Sequence, residues 1–264
     1  MAALSVGGPV RADLLLVRRG LADSRSQAQR LIAAGARWLG PTGWRRVDKA
    51  DDLPGHAEIE LLDAAEARYV SRGGLKLEGA LRAAGLDVTG WRCLDVGQST
   101  GGFSDCLLQH GATRVVGVDV GHGQLHPRLR ADPRLRAFEG VNARALAAAD
   151  LAPEADAFDL ATGDLSFISL TLVLGALVPL IRPHGHLLML VKPQFELQPG
   201  QIGKGGIVRD AELFAQVEQR IRAACTGLAL EVLGWHDSPI AGGDGNREFF
   251  VHARRAPVSP GAPS

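Results

Sequence analysis

Cysteine, tyrosine and long apolar runs are all scarce in this chain. The three cysteines, Cys93, Cys106 and Cys225, show no metal-ligand spacing, so no metal centre is expected. Free, buried thiols in a reducing compartment are the state this implies. The first ten residues carry neither a basic start nor a long apolar segment, which argues against a signal peptide. The longest apolar stretch, Phe167 to Ile181, contains Ser169, Thr171 and Pro179. It falls short of the roughly 20 residues that a membrane-spanning helix requires. A cytoplasmic protein with no membrane partner and no obligate protein partner is the expectation. Net charge is also missing: the formal value is zero, which argues against a general polyanion binder.

That zero hides an asymmetry. Residues 1–50 hold nine Arg or Lys against three Asp, a local charge of +6, and the remainder carries −6. A basic arm on a neutral body points toward a phosphate backbone. Hydrophobic residues make up 46% of 264, enough for one large α/β domain and a small one.

The basic arm has its own pattern. Arg11 to Arg19 reads as a short helix with Leu14, Leu15 and Val17 inward and Gly20 as its stop. Ser24 and Gln27 have capping-box spacing. The helix they open sets Ala28, Leu31 and Ile32 on one face, leaves Arg25, Gln29 and Arg30 outward, and ends at Gly35. Short strands and turns follow to residue 62. On Asp13–Leu21 and Ser24–Gly35, residues 11–62 resemble an S4 RNA-binding domain. The resemblance implies a basic helix lying on structured RNA, with Arg11, Arg18, Arg25 and Arg30 as contacts. It weakens at Arg37-Trp38-Leu39-Gly40, where that family has Val-x-Val-Asn-Gly.

The expected boundaries are a flexible N-terminus at 1–10, the S4-like domain at 11–62, a linker at 63–68, an α/β domain at 69–255 and a disordered tail at 256–264. Strands are predicted at 92–96, 114–118, 135–138, 159–162 and 186–191. They alternate with helices at 76–84, 103–110, 124–130, near 143–149 and at 167–181. Such alternation gives a mostly parallel sheet covered on both faces. A helix at 211–226 and two antiparallel edge strands, 228–234 and 248–254, complete the domain.

The most informative segment is Cys93 to Phe103: an apolar strand ending in Asp95, then Gly97-x-Ser99-x-Gly101-Gly102. Small residues there let a ligand approach the backbone. Asp119, closing the second strand, is placed to accept hydrogen bonds from ribose hydroxyls. A nicotinamide enzyme would prefer G-x-G-x-x-G, which is absent. The arrangement resembles the S-adenosylmethionine-dependent methyltransferases instead. That resemblance puts the adenine near Asn142. Candidate cofactor-binding residues are Asp95, Gly97, Ser99, Thr100, Gly101, Gly102, Phe103, Asp119, Asn142 and Asp164.

Further segments, including Tyr69–Leu77, Val118–Leu125, Asp164–Leu170, Leu190–Glu196, Gly203–Asp210 and Gly245–Phe250, resemble the TlyA family over residues 11–254. That family joins an S4 domain to an FtsJ-like methyltransferase domain. The implied fold is a Rossmann-like α/β sheet with a small N-terminal α+β domain. The implied activity is methyl transfer from S-adenosylmethionine to a ribose 2′-hydroxyl, a cytidine of 16S or 23S ribosomal RNA. The family's Lys–Asp–Lys–Glu set falls on Lys76, Asp164, Lys192 and Glu248.

The resemblance makes Lys192 the base or the alkoxide stabiliser, Lys76 a modulator of it, Asp164 its orienting partner and Glu248 a positioning group. Arg72, beside Gly73 and Gly74, is a candidate phosphate contact, and Arg128, Arg130, Arg134 and Arg136 either extend a basic track or are solvated. The Gly203–Gly206 loop either covers the site, touches phosphate or is an exposed turn. Gln98 and Ser104 replace the family's Ala and Thr, and Gln98 is a candidate cofactor contact. A membrane-active haemolysin and an RNA-binding protein with an inactive enzyme domain are the competing classes.

Overall fold

The computed structural model describes residues 8–62, 68–154 and 156–257, so most of the expected tail, of the expected linker and of the expected first residues lies outside it. The chain divides into two compact units, Met1–Arg72 and Gly73–Ser264.

In the first unit, β1 (Val10–Arg11) leads into α1 (Ala12–Arg18) and α2 (Arg25–Gly35), followed by β2 (Ala36–Gly40), β3 (Gly43–Arg46), β4 (Asp52–Leu53) and β5 (Ile59–Leu61). Strand β2 pairs antiparallel with β3 and β5, and β1 with β4. Ser24 caps α2 by accepting from the Gln27 amide, while the Gln27 side chain accepts from the Asp23 amide rather than from Ser24. Leu31, Ile32 and Ala28 enter the core as expected. On α1 the buried pair is Leu15 and Leu16, with Leu14 and Val17 only half-buried. The helix is tied down through the fully buried Asp13, and this rotates the expected apolar face. Arg25 and Gln29 are not simply outward either, because both bond Asp13.

The second unit is built on a seven-stranded sheet. Its strands are β6 (Arg92–Val96), β7 (Arg114–Asp119), β8 (Leu135–Glu139), β9 (Phe158–Gly163), β10 (Ile181–Val191), β11 (Leu230–Asp237) and β12 (Phe249–Arg255). The spatial order is β11-β12-β10-β9-β6-β7-β8. Strands β8, β7, β6, β9 and β10 are parallel, and β12 lies antiparallel between β10 and β11. The inner strands are apolar on both faces: Cys93, Leu94, Val96, Val115, Val116, Val118, Leu160 and Ala161 have no solvent exposure. The three cysteines are unpaired and buried. Helices α3 (Gly73–Ala84), α4 (Gly102–Gln109), α5 (Pro127–Arg130), α6 (Leu174–Leu177), α7 (Pro193–Glu196) and α8 (Ala211–Gly227) complete the unit.

Three expected helices do not form as continuous helices. The 167–181 segment breaks into 3₁₀ turns at Leu170–Leu172 and Val178–Leu180 around the single turn α6, and Ile181 already belongs to β10. Phe167 at φ +63° and Pro179 both oppose a continuous helix. Only Pro127–Arg130 of the 124–130 segment is helical, with Pro127 in the first turn and His126 as its cap. The 143–149 region holds two 3₁₀ turns.

Candidate active site

Strand β6 is flanked by β7 on one side and by β9 on the other, so the connections leaving it and its neighbours diverge at their carboxyl ends. A crevice at such a switch point is where α/β sheets bind ligands. A cavity of about 450 Å³ lies there, lined by Gly97, Ser99, Asp119, Asn142, Asp164 and Leu165 among others. Val120, Val141 and Ile168 give it apolar walls.

The turn after β6 owes its shape to two glycines. Gly97 has φ +80°, and a Cβ there would meet the Asp164 carbonyl at 2.9 Å. Gly101 has φ +94° and abuts Leu129 and Leu125. Glycine is thus required at both positions by backbone conformation and by protein packing. Asp119 is fixed by two amides, accepting from Ser99 N at Oδ2 and from Gly121 N at Oδ1, each at 2.7 Å. Asn142 caps the following turn by accepting from the Arg144 amide at 3.0 Å.

Not every expected cofactor contact is at the cavity. Asp95 is buried, accepts from Ser104 Oγ at 2.6 Å, and is pushed up to about 7 by burial. Gln98 is buried as well and donates to Ser104 Oγ at 2.7 Å, its side chain packed over Gly117. Replacement of the family's Ala and Thr by Gln98 and Ser104 therefore forms one buried hydrogen-bond chain to Asp95. Phe103 is buried in the core and stacks on Phe250 at 6.1 Å. Gly102 is buried at the start of α4, and Thr100 is exposed.

The four charged residues expected to act together do converge. Lys76 on α3, Asp164 after β9, Lys192 at the end of β10 and Glu248 just before β12 come from elements far apart in sequence. Lys76 Nζ lies 2.6 Å from Glu248 Oε2 and 3.9 Å from Asp164 Oδ2. Lys192 Nζ lies 2.5 Å from Asp164 Oδ1. Asp164 thus stands between two ammonium groups and also lines the cavity. The side chains of Lys76 and Glu248 are 9% and 2% exposed, so this pair is largely removed from water. Burial pushes the Glu248 carboxyl up, and the adjacent Lys76 opposes that shift.

Several residues at the site were assigned no role from sequence. Ser166 accepts a hydrogen bond from Lys192 Nζ at 2.9 Å. It is two residues from Asp164, and both side chains reach the same lysine. Phe167 is 90% exposed, lines the cavity and tilts against Phe195 at 5.2 Å. Glu196 is buried and holds the 169–170 backbone by accepting from Ser169 Oγ and Leu170 N, both at 2.6 Å. Asn246 is buried; it accepts from Val208 N at 2.9 Å and donates to the Gly206 carbonyl at 2.9 Å. It thereby fastens the glycine-rich 203–208 loop to the turn before Glu248. The spacing of glycines signals that loop, but nothing in the sequence signals its clasp.

A doubly wound sheet with this crevice and this charged cluster has the architecture of a Rossmann-type methyltransferase. Residues 69–255 match the FtsJ-like methyltransferase family, and the chain belongs to it. The chain is 44% identical over 251 residues to the 16S/23S rRNA (cytidine-2′-O)-methyltransferase TlyA of Mycobacterium tuberculosis, covering 92% of this chain and 89% of that relative. It is 35% identical over 243 residues to hemolysin A of Brachyspira hyodysenteriae, covering 92% and 99%. A solved structure from Streptococcus thermophilus, provisionally described as a hemolysin, is 39% identical with a TM-score of 0.73, covering 94% of this chain and 89% of that one.

Proposed function

We propose that this protein transfers a methyl group from S-adenosylmethionine to the 2′-hydroxyl of a cytidine in ribosomal RNA. The observation that carries the reading is Asp164, which faces both lysines and lines the cavity. The cavity chemistry fits the donor. Asp119 offers a fixed carboxylate to a ribose diol, the apolar walls suit a flat purine beside Asn142, and the Asp164 carboxylate suits a cationic sulfonium. Bound S-adenosylmethionine would supply an electrophilic methyl group.

A ribose hydroxyl is a poor nucleophile at neutral pH, so a base or a positive field at the developing alkoxide is needed. Lys192 Nζ supplies that field at the developing alkoxide or takes the hydroxyl proton. Its ammonium form is stabilised by Asp164 at 2.5 Å and oriented by Ser166. Lys76, held by Glu248, keeps a second positive charge beside Asp164. Phe167 presents an exposed ring at the cavity mouth, suited to stacking on an unpaired base.

The naming of the M. tuberculosis relative supports cytidine and both ribosomal RNAs as substrates. The basic helices of the first unit support RNA capture through Arg11, Arg18, Arg25 and Arg30, with Arg72 as a further contact. Ribosomal RNA as substrate agrees with a cytoplasmic location. Among the described residues, no helix is long and apolar enough to cross a membrane, so nothing there favours the haemolysin reading.

Lys192→Ala tests the mechanism. It is expected to reduce methyl transfer to transcribed 16S and 23S ribosomal RNA by at least ~100-fold. Cofactor affinity, read by calorimetry, is expected to change little. Normal turnover by that variant would remove the assignment.

A further inference from the structure

Asp13 lies in the first turn of α1 with no solvent exposure, yet it receives two cations from the surface. Arg11 donates from Nε to Oδ1 and from Nη2 to Oδ2, each at 3.2 Å. Arg25, opening α2, donates from Nη2 to Oδ2 at 3.1 Å. Gln29, one turn along α2, donates to the same oxygen at 2.9 Å, and the Leu14 amide donates to Oδ1 at 2.9 Å. These donors hold the carboxyl well below the usual carboxylate range, with the Arg11 hydrogen bond the largest cause. Asp13 is therefore a buried, ionised anchor.

Its two arginines remain half outside, with side chains 46% and 56% exposed. A guanidinium has five N–H donors, and each of these uses only one or two on Asp13. Two guanidinium groups share the one buried carboxylate, and Asp52, the cross-strand partner of Arg11, adds a second negative charge near Arg11. A guanidinium already fixed in one rotamer loses less freedom when a ligand arrives. Phosphate is the ligand that matches two forks with spare donors.

We propose that Asp13 is a positioning residue that holds Arg11 and Arg25 as a paired clamp for one phosphodiester of the RNA backbone. The inference rests on the RNA-binding reading of the first unit. It differs in sign from a purely electrostatic role. If charge alone mattered, removing the Asp13 carboxylate would tighten RNA binding. As an anchor, its loss frees the forks and weakens binding.

The test uses the full-length chain and a labelled transcript of 16S ribosomal RNA over a series of KCl concentrations. Asp13→Asn puts an NH₂ against guanidinium donors. It is expected to weaken binding about tenfold and to lower the salt slope by about one. Gln29→Ala removes only a neutral bond to the same carboxylate; it should lower the melting temperature and leave RNA affinity unchanged. The double variant Arg11→Lys/Arg25→Lys keeps both charges without the forks and should match Asp13→Asn. Equal or tighter binding by Asp13→Asn, or wild-type binding by the lysine pair, overturns the clamp. Should circular dichroism show Asp13→Asn unfolded, the lysine pair decides alone. If Arg11→Ala/Arg25→Ala leaves RNA affinity unchanged, the RNA-binding reading of these arginines falls, and the clamp with it.

Discussion

At the scale of single residues, the site combines burial with charge. Lys76 and Glu248 neutralise one another in a nearly dry position; removing Lys76 strands the Glu248 carboxylate, and removing Glu248 leaves Lys76 only the longer contact to Asp164 at 3.9 Å. Glu248→Ala is expected to destabilise the protein by about 3 kcal/mol. The double variant Lys76→Met/Glu248→Leu should regain most of that stability in thermal melts while methyl transfer stays lost. Recovery of activity along with stability would reduce the pair to a structural role. The four charged residues were legible only through the resemblance to FtsJ-like enzymes, whose motifs here fall next to predicted strand or helix ends. Their order along the cluster was not. Asp164 rather than Glu248 contacts both lysines, a fact of side-chain geometry that no spacing encodes. The direction of the Asp95 side chain was not legible for a related reason: an acid at a strand end can face either the ligand or the interior, and here it is buried and accepts from Ser104.

At the scale of elements, the antiparallel edge carries a titratable group. His252 on β12 is pushed down to about 4, chiefly by burial and then by His186 and His236. His186 Nδ1 lies 3.0 Å from His252 Nε2 and stacks on Trp91. The unfolded chain therefore binds this proton first. Its contribution to stability is complete above about pH 6.5 and declines by about 3 kcal/mol toward pH 4. Asp95, pushed up to about 7, acts in the opposite sense over the same range. The difference between His252→Gln and the wild type isolates the histidine. In urea titrations that variant should gain relative stability as pH falls from 6.5 to 4, and a constant difference would contradict the burial argument.

A second element-level expectation concerns Asn246. Asn246→Ala leaves the Val208 amide and the Gly206 carbonyl without their partner. It should cost about 2 kcal/mol and speed proteolytic cleavage within 203–208. Parallel strands were readable as apolar runs between turn residues. The segment 167–181 was not, because apolar composition alone does not separate a long helix from turns feeding a buried strand. Its break at Phe167 brings that ring beside the cavity, so local composition yielded there to the site.

At the scale of the whole molecule, charge is distributed more finely than the first fifty residues suggest. Asp51, Asp52, Glu58 and Glu60 follow at once, so residues 1–62 carry only +2. Glu60 pairs with Arg37 at 2.7 Å. The first unit should consequently bind ribosomal RNA through a few placed arginines rather than a diffuse field. The salt slope of the wild type should correspond to a small number of phosphates, and a steep slope of ten or so would argue for a diffuse field instead.

The central claim is that the lysine–carboxylate cluster activates a ribose 2′-hydroxyl. Mapping methylated nucleotides on ribosomal RNA treated with wild-type protein, Lys192→Ala and S-adenosylmethionine tests it most directly. The expected result is a new 2′-O-methyl group on cytidine with the wild type and none with Lys192→Ala, whose cofactor affinity is retained. A methyl group on a base, or an unaltered 2′-O-methyl signal from Lys192→Ala, would contradict it.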